Sequence, residues 1–165
     1  MTTSSASVSL NKIVKDVATL SMTTETAGEY QPFKLSDFRD KKVIVYFYPK
    51  DSTPGCTNEA MAFRDNYSQF LDANAVIFGV SRDLLKSHDR FKEKLELPFD
   101  LVSDPDELLC QQFAVIKEKM MYGKKVIGIE RSTFLINTDG KLAQEWRKVK
   151  VDGHVDEVLA AVLAL

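Results

Sequence analysis

An unbroken run of six apolar residues, Val43 to Tyr48, constrains the fold of this chain more than any other feature. A strand that faces water on one side alternates apolar and polar residues, whereas an unbroken apolar strand is covered on both faces. The run stops at Pro49, which lacks the N–H group that a sheet ladder uses. Apolar residues then recur at helical spacing from Thr57 to Leu71. The sequence therefore predicts a buried strand that leads through a short turn into a helix.

The rest of the chain repeats this alternation of strands and helices. Further strands are expected at residues 10–22, 30–35, 75–80, 101–103, 126–129, 133–137 and 141–147. Helical segments are expected at residues 36–40, 84–95, 105–113 and 155–163, with Ser36, Asp83 and Asp152 as caps and Pro105 in a first turn. Asp139 and Gly140 indicate a hairpin turn. The pattern predicts an α/β sandwich with a mixed central sheet.

Length and charge limit what the chain can be. Its 165 residues fit one domain with a full hydrophobic core. We expect residues 1–10 to form a flexible N-terminal tail and residues 11–165 to form the single domain. A net charge of −2 without a basic stripe predicts no nucleic-acid partner, and no apolar run is long enough to predict a membrane span. The N-terminus lacks the pattern of a secretory signal, so a cytoplasmic protein with reduced thiols is expected.

One of the two cysteines has the position of a reactive thiol. Cys56 follows the turn after the buried strand and lies at the predicted start of a helix. Unpaired N–H groups and the positive end of the helix dipole stabilise a thiolate there, and the thiolate is the nucleophilic form. Cys110, between apolar residues on a helix, is more typical of a small buried hydrophobe. His88 and His154 are interpreted as structural rather than as partners of a Cys–His catalytic pair.

The segment from Pro49 to Cys56 matches the pattern P-x-x-x-T-x-x-C and resembles the peroxiredoxins. The flanking segments are similar to the bacterioferritin comigratory protein, or Q-type, subfamily; they are residues 46–48, 57–60, 63–65, 101–104, 112–115, 131–136 and 139–141. The resemblance covers about residues 14 to 164. It is weakest near residues 16–18, which lack the proline that usually follows in the family. It implies a thioredoxin-like fold.

The resemblance also implies an activity and a set of site residues. Members reduce hydrogen peroxide and organic hydroperoxides through a cysteine sulfenic acid, without a metal or other cofactor, in antioxidant defence. Cys56 corresponds to the peroxidatic cysteine, and Thr53 to the hydroxyl that contacts thiolate and peroxide. Pro49 corresponds to the residue that shields the pocket, and Arg131 to a distant arginine that folds back onto the thiolate. These residue types suit the chemistry, because arginine supplies several donors and a permanent charge, while a hydroxyl both donates and accepts.

Three residues of the expected site need separate comment, and two of them have more than one interpretation. Arg131 either takes part in catalysis, as the resemblance implies, or forms an ordinary ion pair with Glu130. Glu59, one turn after Cys56, either favours the helix dipole or orients donors in the site. Tyr48 is a supporting residue that packs the pocket rather than reacting.

The expected route of recycling departs from the common pattern of the subfamily. Many members carry a resolving cysteine five residues after the peroxidatic one, where this chain has Met61. Others carry it on the next long helix, near residues 84–97, which contains no cysteine here. The chain therefore resembles a one-cysteine enzyme, a monomer or weak dimer, recycled by thioredoxin, glutaredoxin or glutathione. Cys110 stays as a less favoured resolving residue.

Two other functions remain open from the sequence. A non-catalytic thioredoxin-fold binding or holdase protein would also fit the loss of a resolving cysteine. A disulfide oxidoreductase is less favoured, because Thr53 stands where a C-x-x-C motif would have its first cysteine. Rapid consumption of equimolar peroxide by the reduced protein would separate a peroxidase from a binding protein.

Overall fold

The structure is a computed structural model that describes residues 8–17, 20–24, 26 and 28–165. Its strands are β1 (Leu20–Thr23), β2 (Tyr30–Phe33), β3 (Lys42–Phe47), β4 (Ala75–Ser81), β5 (Asp100–Ser103), β6 (Ile116–Met121), β7 (Lys124–Ile129), β8 (Ser132–Ile136) and β9 (Leu142–Trp146). Its helices are a 3₁₀ helix (Leu35–Phe38), α1 (Pro54–Asp65), α2 (Tyr67–Asp72), α3 (Leu85–Leu95), α4 (Leu108–Gln112) and α5 (His154–Ala164). Within the described ranges, no helix has the length and apolar character that crossing a bilayer requires.

Seven strands form one mixed sheet in the order β2-β1-β5-β4-β3-β8-β9. The central strand β3 pairs in parallel with β4 and antiparallel with β8. Strands β6 and β7 form a separate antiparallel hairpin. The predicted α/β architecture with a mixed central sheet is thus confirmed.

The central strand divides the hydrophobic core into two parts. Every residue of β3 after Lys42 is buried, as the unbroken apolar run predicts. Successive side chains of a strand point to opposite faces, so Phe47 enters one core cluster and Tyr46 the other. Cys110 belongs to the cluster of Phe47, whereas Cys56 belongs to the cluster of Tyr46. The two cysteines therefore lie on opposite sides of the sheet.

A glycine on β4 allows α1 to pack on the sheet. A Cβ atom at Gly79 would lie 2.9 Å from the hydroxyl oxygen of Tyr46 and 2.8 Å from Cδ2 of Leu101. Because Gly79 has no side chain, the Tyr46 ring can occupy this position beside β4. The ring in turn stacks on Phe63 of α1, with 4.6 Å between the centroids. Tyr46 thus connects β3 to the helix that carries Cys56.

The N-terminal region differs from the prediction. Among the described residues of the strand expected at 10–22, those from Leu20 onward form a strand, β1, which ends at Thr23, and Ile13 forms an isolated bridge with Lys141. Residues 18 and 19 and residues 1–7 of the expected tail lie outside the described residues. The amide of Val8 donates to the carbonyl of Gln112 at 2.9 Å.

The helix expected from Thr57 to Leu71 is two helices in the structure. It starts earlier, at Pro54, and it is interrupted at Asn66 between α1 and α2. The Asn66 side chain donates to the carbonyl of Ala62 at 2.8 Å. Asparagine competes with the backbone for such hydrogen bonds and so favours helix ends.

Two expected capping side chains have other partners. Ser36 lies inside the 3₁₀ helix, and its hydroxyl and amide donate to Asp16. Leu84 is the residue that precedes α3, whereas Asp83 accepts a hydrogen bond of 2.6 Å from the hydroxyl of Ser81. Both predictions were wrong, because Ser36 binds a long-range acceptor, Asp16, and Asp83 binds a loop donor, Ser81, instead of the helix ends.

The starts of α4 and α5 are set by backbone conformation instead. Gly153, with φ 76°, precedes α5 in place of the expected Asp152. Helix α4 starts at Leu108, after Glu107 with φ 61°, and not near Pro105. Both preceding residues adopt the left-handed conformation, which side-chain capping patterns do not reveal.

Strand β6 was not predicted. Lys117, Glu118 and Lys119 interrupt its apolar residues, so the sequence lacks a period-two pattern. The strand extends away from the main sheet in the β6–β7 hairpin, where most of its residues are exposed. A strand without a buried face leaves little signal in the sequence.

Candidate active site

Cys56 lies in the first turn of α1, with 1% of its surface exposed. Pro54 takes the first helical position, where a missing N–H costs nothing. The amide of Thr57 donates to the carbonyl of Thr53 at 2.8 Å, which is the first hydrogen bond of the helix. The amide of Cys56 thus belongs to the unpaired N–H groups of the helix start, where negative charge is favoured.

Arg131 follows β7, and its side chain contacts the Cys56 thiol. Its Nη2 donates to Sγ of Cys56 at 3.6 Å, and its Nη1 donates to Oε1 of Glu59 at 2.8 Å. A Cβ atom at Gly55 would lie 3.0 Å from Nη2, so a glycine at this position leaves room for the guanidinium. The structure therefore brings Cys56, Glu59 and Arg131 together, although Arg131 is distant in sequence.

Glu59 is completely buried behind the arginine. Burial raises the pKa of this carboxyl to about 7, and the charge and hydrogen bond of Arg131 only partly oppose that effect. Its second oxygen, Oε2, has no hydrogen-bond partner among the described residues. Of the two interpretations of Glu59, the geometry favours the one in which the carboxylate orients a donor of the site.

Thr53 and Pro49 belong to the loop between β3 and the helix that carries the thiol. The Thr53 hydroxyl donates to the carbonyl of Lys50 at 2.8 Å, so its hydrogen is engaged while its lone pairs can accept. Pro49 is half-buried at the end of the central strand. The loop therefore presents an acceptor, rather than a donor, near the helix start.

Tyr48 is held by a network that sequence reasoning missed. Its buried hydroxyl donates to Oδ1 of Asp51 at 2.6 Å, and the other oxygen of Asp51 contacts the ring of His88. The only sequence signal was a polar residue on the apolar stripe of α3, which we interpreted as structural. Residues 51 and 88 are far apart in sequence, so their pairing depends on the tertiary fold.

Cys110 lies away from these residues, on α4. Its amide donates to Oδ2 of Asp104 at 2.7 Å, and its side chain is completely buried. Burial, together with the nearby carboxylate of Asp104, raises the pKa of the Cys110 thiol far above its ordinary value. The thiol therefore stays protonated and matches the interpretation of a small buried hydrophobe.

His154 is also a poor base for Cys56. Its Nε2 lies 2.7 Å from the hydroxyl oxygen of Thr133. Burial lowers the pKa of His154 to about 4, and the charge of Arg131 adds to this effect. The ring is neutral at pH 7 and paired with a threonine, which agrees with a structural role.

The site geometry describes one class of chemistry. The buried sulfur of Cys56 lies at the start of a helix and accepts a hydrogen bond from the guanidinium of Arg131. The buried carboxylate of Glu59 holds the same guanidinium. Such a centre stabilises an anionic nucleophile before reaction and a developing oxyanion during it. The residues suit an enzyme that uses a thiolate as its nucleophile.

Comparisons with known proteins agree with this description. The sequence profile of the AhpC/TSA family matches residues 13–145. Peroxiredoxin Bcp of Xanthomonas campestris is 60% identical over 122 residues, which are 74% of this chain and 76% of that protein. Peroxiredoxin Bcp of Bacillus subtilis is 52% identical over 136 residues, 82% of this chain and 87% of that protein.

A solved structure of the Xanthomonas campestris bacterioferritin comigratory protein, studied for its alkyl peroxide reduction activity, has the same fold. Its TM-score is 0.83 at 48% identity, over 93% of this chain and 98% of that one. The fold and the site define a peroxiredoxin, and the chain belongs to the AhpC/TSA family. Within that family it falls among the Bcp, or Q-type, peroxiredoxins, as the motifs around Cys56 indicate.

Proposed function

We propose that this chain reduces hydrogen peroxide and organic hydroperoxides at Cys56. The observation that carries the proposal is the hydrogen bond from Arg131 to the buried Cys56 thiol, with Glu59 holding the same guanidinium. A permanent positive charge directed at a sulfur stabilises the thiolate, which is the nucleophilic form of cysteine. The alkyl peroxide reduction studied in the Xanthomonas campestris relative supports the same substrate class.

The reaction follows from the positions of these groups. The Cys56 thiolate attacks one oxygen of the hydroperoxide, so that an S–O bond forms while the O–O bond breaks. The sulfur is oxidised by two electrons to a sulfenic acid, and the leaving oxygen takes a proton and departs as water or alcohol. Arg131 stabilises negative charge first on sulfur and then on oxygen. Thr53 accepts the O–H hydrogen of the peroxide, because its own hydrogen is bound to Lys50, and Pro49 shields the pocket.

Recycling needs a thiol from outside the chain. Cys56 and Cys110 belong to core clusters on opposite faces of the central sheet, and a disulfide needs Cα atoms within about 7 Å. An external thiol therefore attacks the sulfenic sulfur and releases water, and a second thiol reduces the mixed disulfide. Thioredoxin, glutaredoxin and glutathione are the candidate reductants. We infer a monomer or weak dimer that acts in the cytoplasm, where free thiols such as these persist.

A stopped-flow experiment tests the proposed function. The reduced protein should consume one equivalent of peroxide quickly and form a sulfenic acid on Cys56. Cys56→Ser should stay folded and consume none, since Cys110 is buried and protonated. A wild-type protein that leaves peroxide unchanged would support a binding or holdase function, and reduction of insulin disulfides would support a disulfide oxidoreductase.

A further inference from the structure

A buried histidine–carboxylate pair lies beside the proposed site and takes no part in the chemistry described above. Nδ1 of His88 lies 2.7 Å from Oδ2 of Asp51, and the two side chains are 0% and 2% exposed. The other ring nitrogen, Nε2, lies 2.9 Å from the carbonyl oxygen of Val102 in β5. Because His88 belongs to α3 and Asp51 to the segment between β3 and α1, the pair joins three parts of the fold.

Both ring nitrogens of His88 face acceptors. A carbonyl oxygen only accepts, so Nε2 donates to Val102. The contact between Nδ1 and Asp51 then contains a hydrogen of its own, because otherwise a nitrogen lone pair would face a carboxylate lone pair.

The groups around the pair hold Asp51 in place. Tyr48 donates to Oδ1 of Asp51 at 2.6 Å, and Ser87 donates to Oδ2 at 2.8 Å. Burial raises the pKa of Tyr48 well above its ordinary range, so its hydroxyl stays a donor. Asp83 is the other charged group here; it accepts from the amide of Asp51 at 2.9 Å and from the hydroxyl of Ser81 at 2.6 Å.

The same three residues have the composition of a metal site. Potential ligand atoms of Asp51, Asp83 and His88 lie within 4.8 Å of one another. However, hydrogens from Tyr48, Ser87, Ser81 and the amide of Asp51 already bind three of the four carboxylate oxygens of this cluster. The hydrogen-bond pattern therefore indicates that this cluster links segments of the fold rather than binding a metal.

We propose that Asp51 and His88 are positioning residues that fasten the segment from Pro49 to Thr53, and with it the first turn of α1, in the geometry that the thiol needs to react. Asp51 lies in the middle of that segment, and the carbonyl of Thr53 accepts the first hydrogen bond of the helix. Ser52, with φ 65°, holds a conformation that non-glycine residues rarely adopt, so the segment depends on its anchors. The proposal rests on the proposed function for its rate measurement alone.

The first test compares peroxide reaction rates. His88→Gln and Asp51→Asn are each expected to slow the reaction of the reduced protein by about tenfold or more, as misplacement of a reacting group does. Lys92→Met is the matched control, because Lys92 lies one turn further along α3 and ties it to Asp100 of β5 at 2.7 Å. Its rate should stay within about twofold of wild type. The double variant of Asp51 and His88 should be no slower than the slower single variant, since both act through one contact.

The second test measures how firmly the segment is held, and it needs no peroxide. Hydrogen exchange of the amides at residues 51–57 should become faster in His88→Gln and not in Lys92→Met, while β3 and β4 stay protected in both. Proton NMR of the wild type should show a downfield signal from the hydrogen between His88 and Asp51, and Asp51→Asn should lack it.

The outcomes separate the two proposals. A wild-type protein that consumes no peroxide would refute the proposed function, and exchange and NMR would then decide the positioning role. Wild-type rate and exchange in His88→Gln would overturn the positioning role, and so would equal slowing and loosening in Lys92→Met. Should His88→Gln fail to fold, Asp51→Asn and the wild-type NMR signal decide in its place.

Discussion

Arg131 connects the two acidic groups of the proposed site through the two ends of one guanidinium. It donates to Cys56 at 3.6 Å and to Glu59 at 2.8 Å. Burial alone would lower the pKa of Arg131, but the charges of Glu59 and Cys56 outweigh this and raise it above its ordinary value. The residue therefore stays charged in a partly buried position, with its direction set by Glu59.

Replacing this arginine should slow the reaction with peroxide. Arg131→Met removes the charge beside the sulfur, so the rate of attack on peroxide should fall. A loss of ~1.4 kcal/mol of stabilisation corresponds to a tenfold slower step. Stopped-flow kinetics measure the effect, with Arg64→Met in the last turn of α1 as control. An unchanged rate in Arg131→Met would contradict the role.

Glu59 should leave a signature in the pH dependence of stability. Its pKa is raised from 4.5 to about 7 in the folded protein, so between these values the folded state holds a proton that the unfolded chain has lost. The free energy of unfolding therefore falls as pH rises through this window, by an amount on the order of 3 kcal/mol. Glu59→Gln should flatten this fall in urea unfolding experiments on either side of the window. It should also slow peroxide reduction, because Arg131 loses its anchor.

A pH dependence of unfolding that is identical in Glu59→Gln and wild type would show that the carboxyl titrates normally. Glu157→Gln, a change in α5 on an exposed carboxyl, is a suitable control for the loss of one acidic residue.

At the scale of elements, burial decided which parts of the structure could be predicted from sequence. Strands β3 and β4 are buried along nearly their whole length, so their apolar runs indicated them with almost the observed bounds. Strand β6 has no buried face, and the break at Asn66 depends on one side-chain hydrogen bond, so both were missed. The Cys56 position followed from the local strand–turn–helix pattern. Arg131 was identified by resemblance to the family, and the pairing of Asp51 with His88 needed the folded chain.

The packing of α1 on the sheet should be sensitive to one methyl group. Gly79→Ala places a Cβ atom 2.9 Å from the Tyr46 hydroxyl and 2.8 Å from Leu101, which forces the ring or the strand to move. We expect a loss of about 1–3 kcal/mol in the free energy of unfolding, as measured by urea denaturation. Gly128→Ala is the matched control, because the nearest atom to its Cβ would be Nη2 of Arg82, at an ordinary contact distance of 3.6 Å. Equal stabilities of the two variants would contradict the packing argument.

At the scale of the whole molecule, the central sheet separates the two sulfurs. Cys56 packs among the residues of one core cluster and Cys110 among those of the other. A direct bond between them would require part of the core to open, which costs much of the stability of a small domain. The architecture therefore supports a role for one sulfur in the reaction and a packing role for the second.

Removal of the second cysteine should leave the reaction intact. Cys110→Ser should consume peroxide and be reduced by an added thiol at wild-type rates, although the buried hydroxyl lowers its stability. Non-reducing peptide mapping of the oxidised wild type should show sulfenic acid on Cys56 and little Cys56–Cys110 disulfide. A stoichiometric intramolecular disulfide, lost together with turnover in Cys110→Ser, would make Cys110 the resolving residue.

The placement of the two cysteines on opposite faces of the sheet has a kinetic consequence. Without an internal thiol to capture the sulfenic acid, the external reductant and further peroxide compete for it. When reductant is scarce, the oxidised form accumulates, and a further peroxide converts it irreversibly to sulfinic acid. The ratio of reductant to peroxide in the surroundings then determines how many turnovers each molecule completes before it is inactivated.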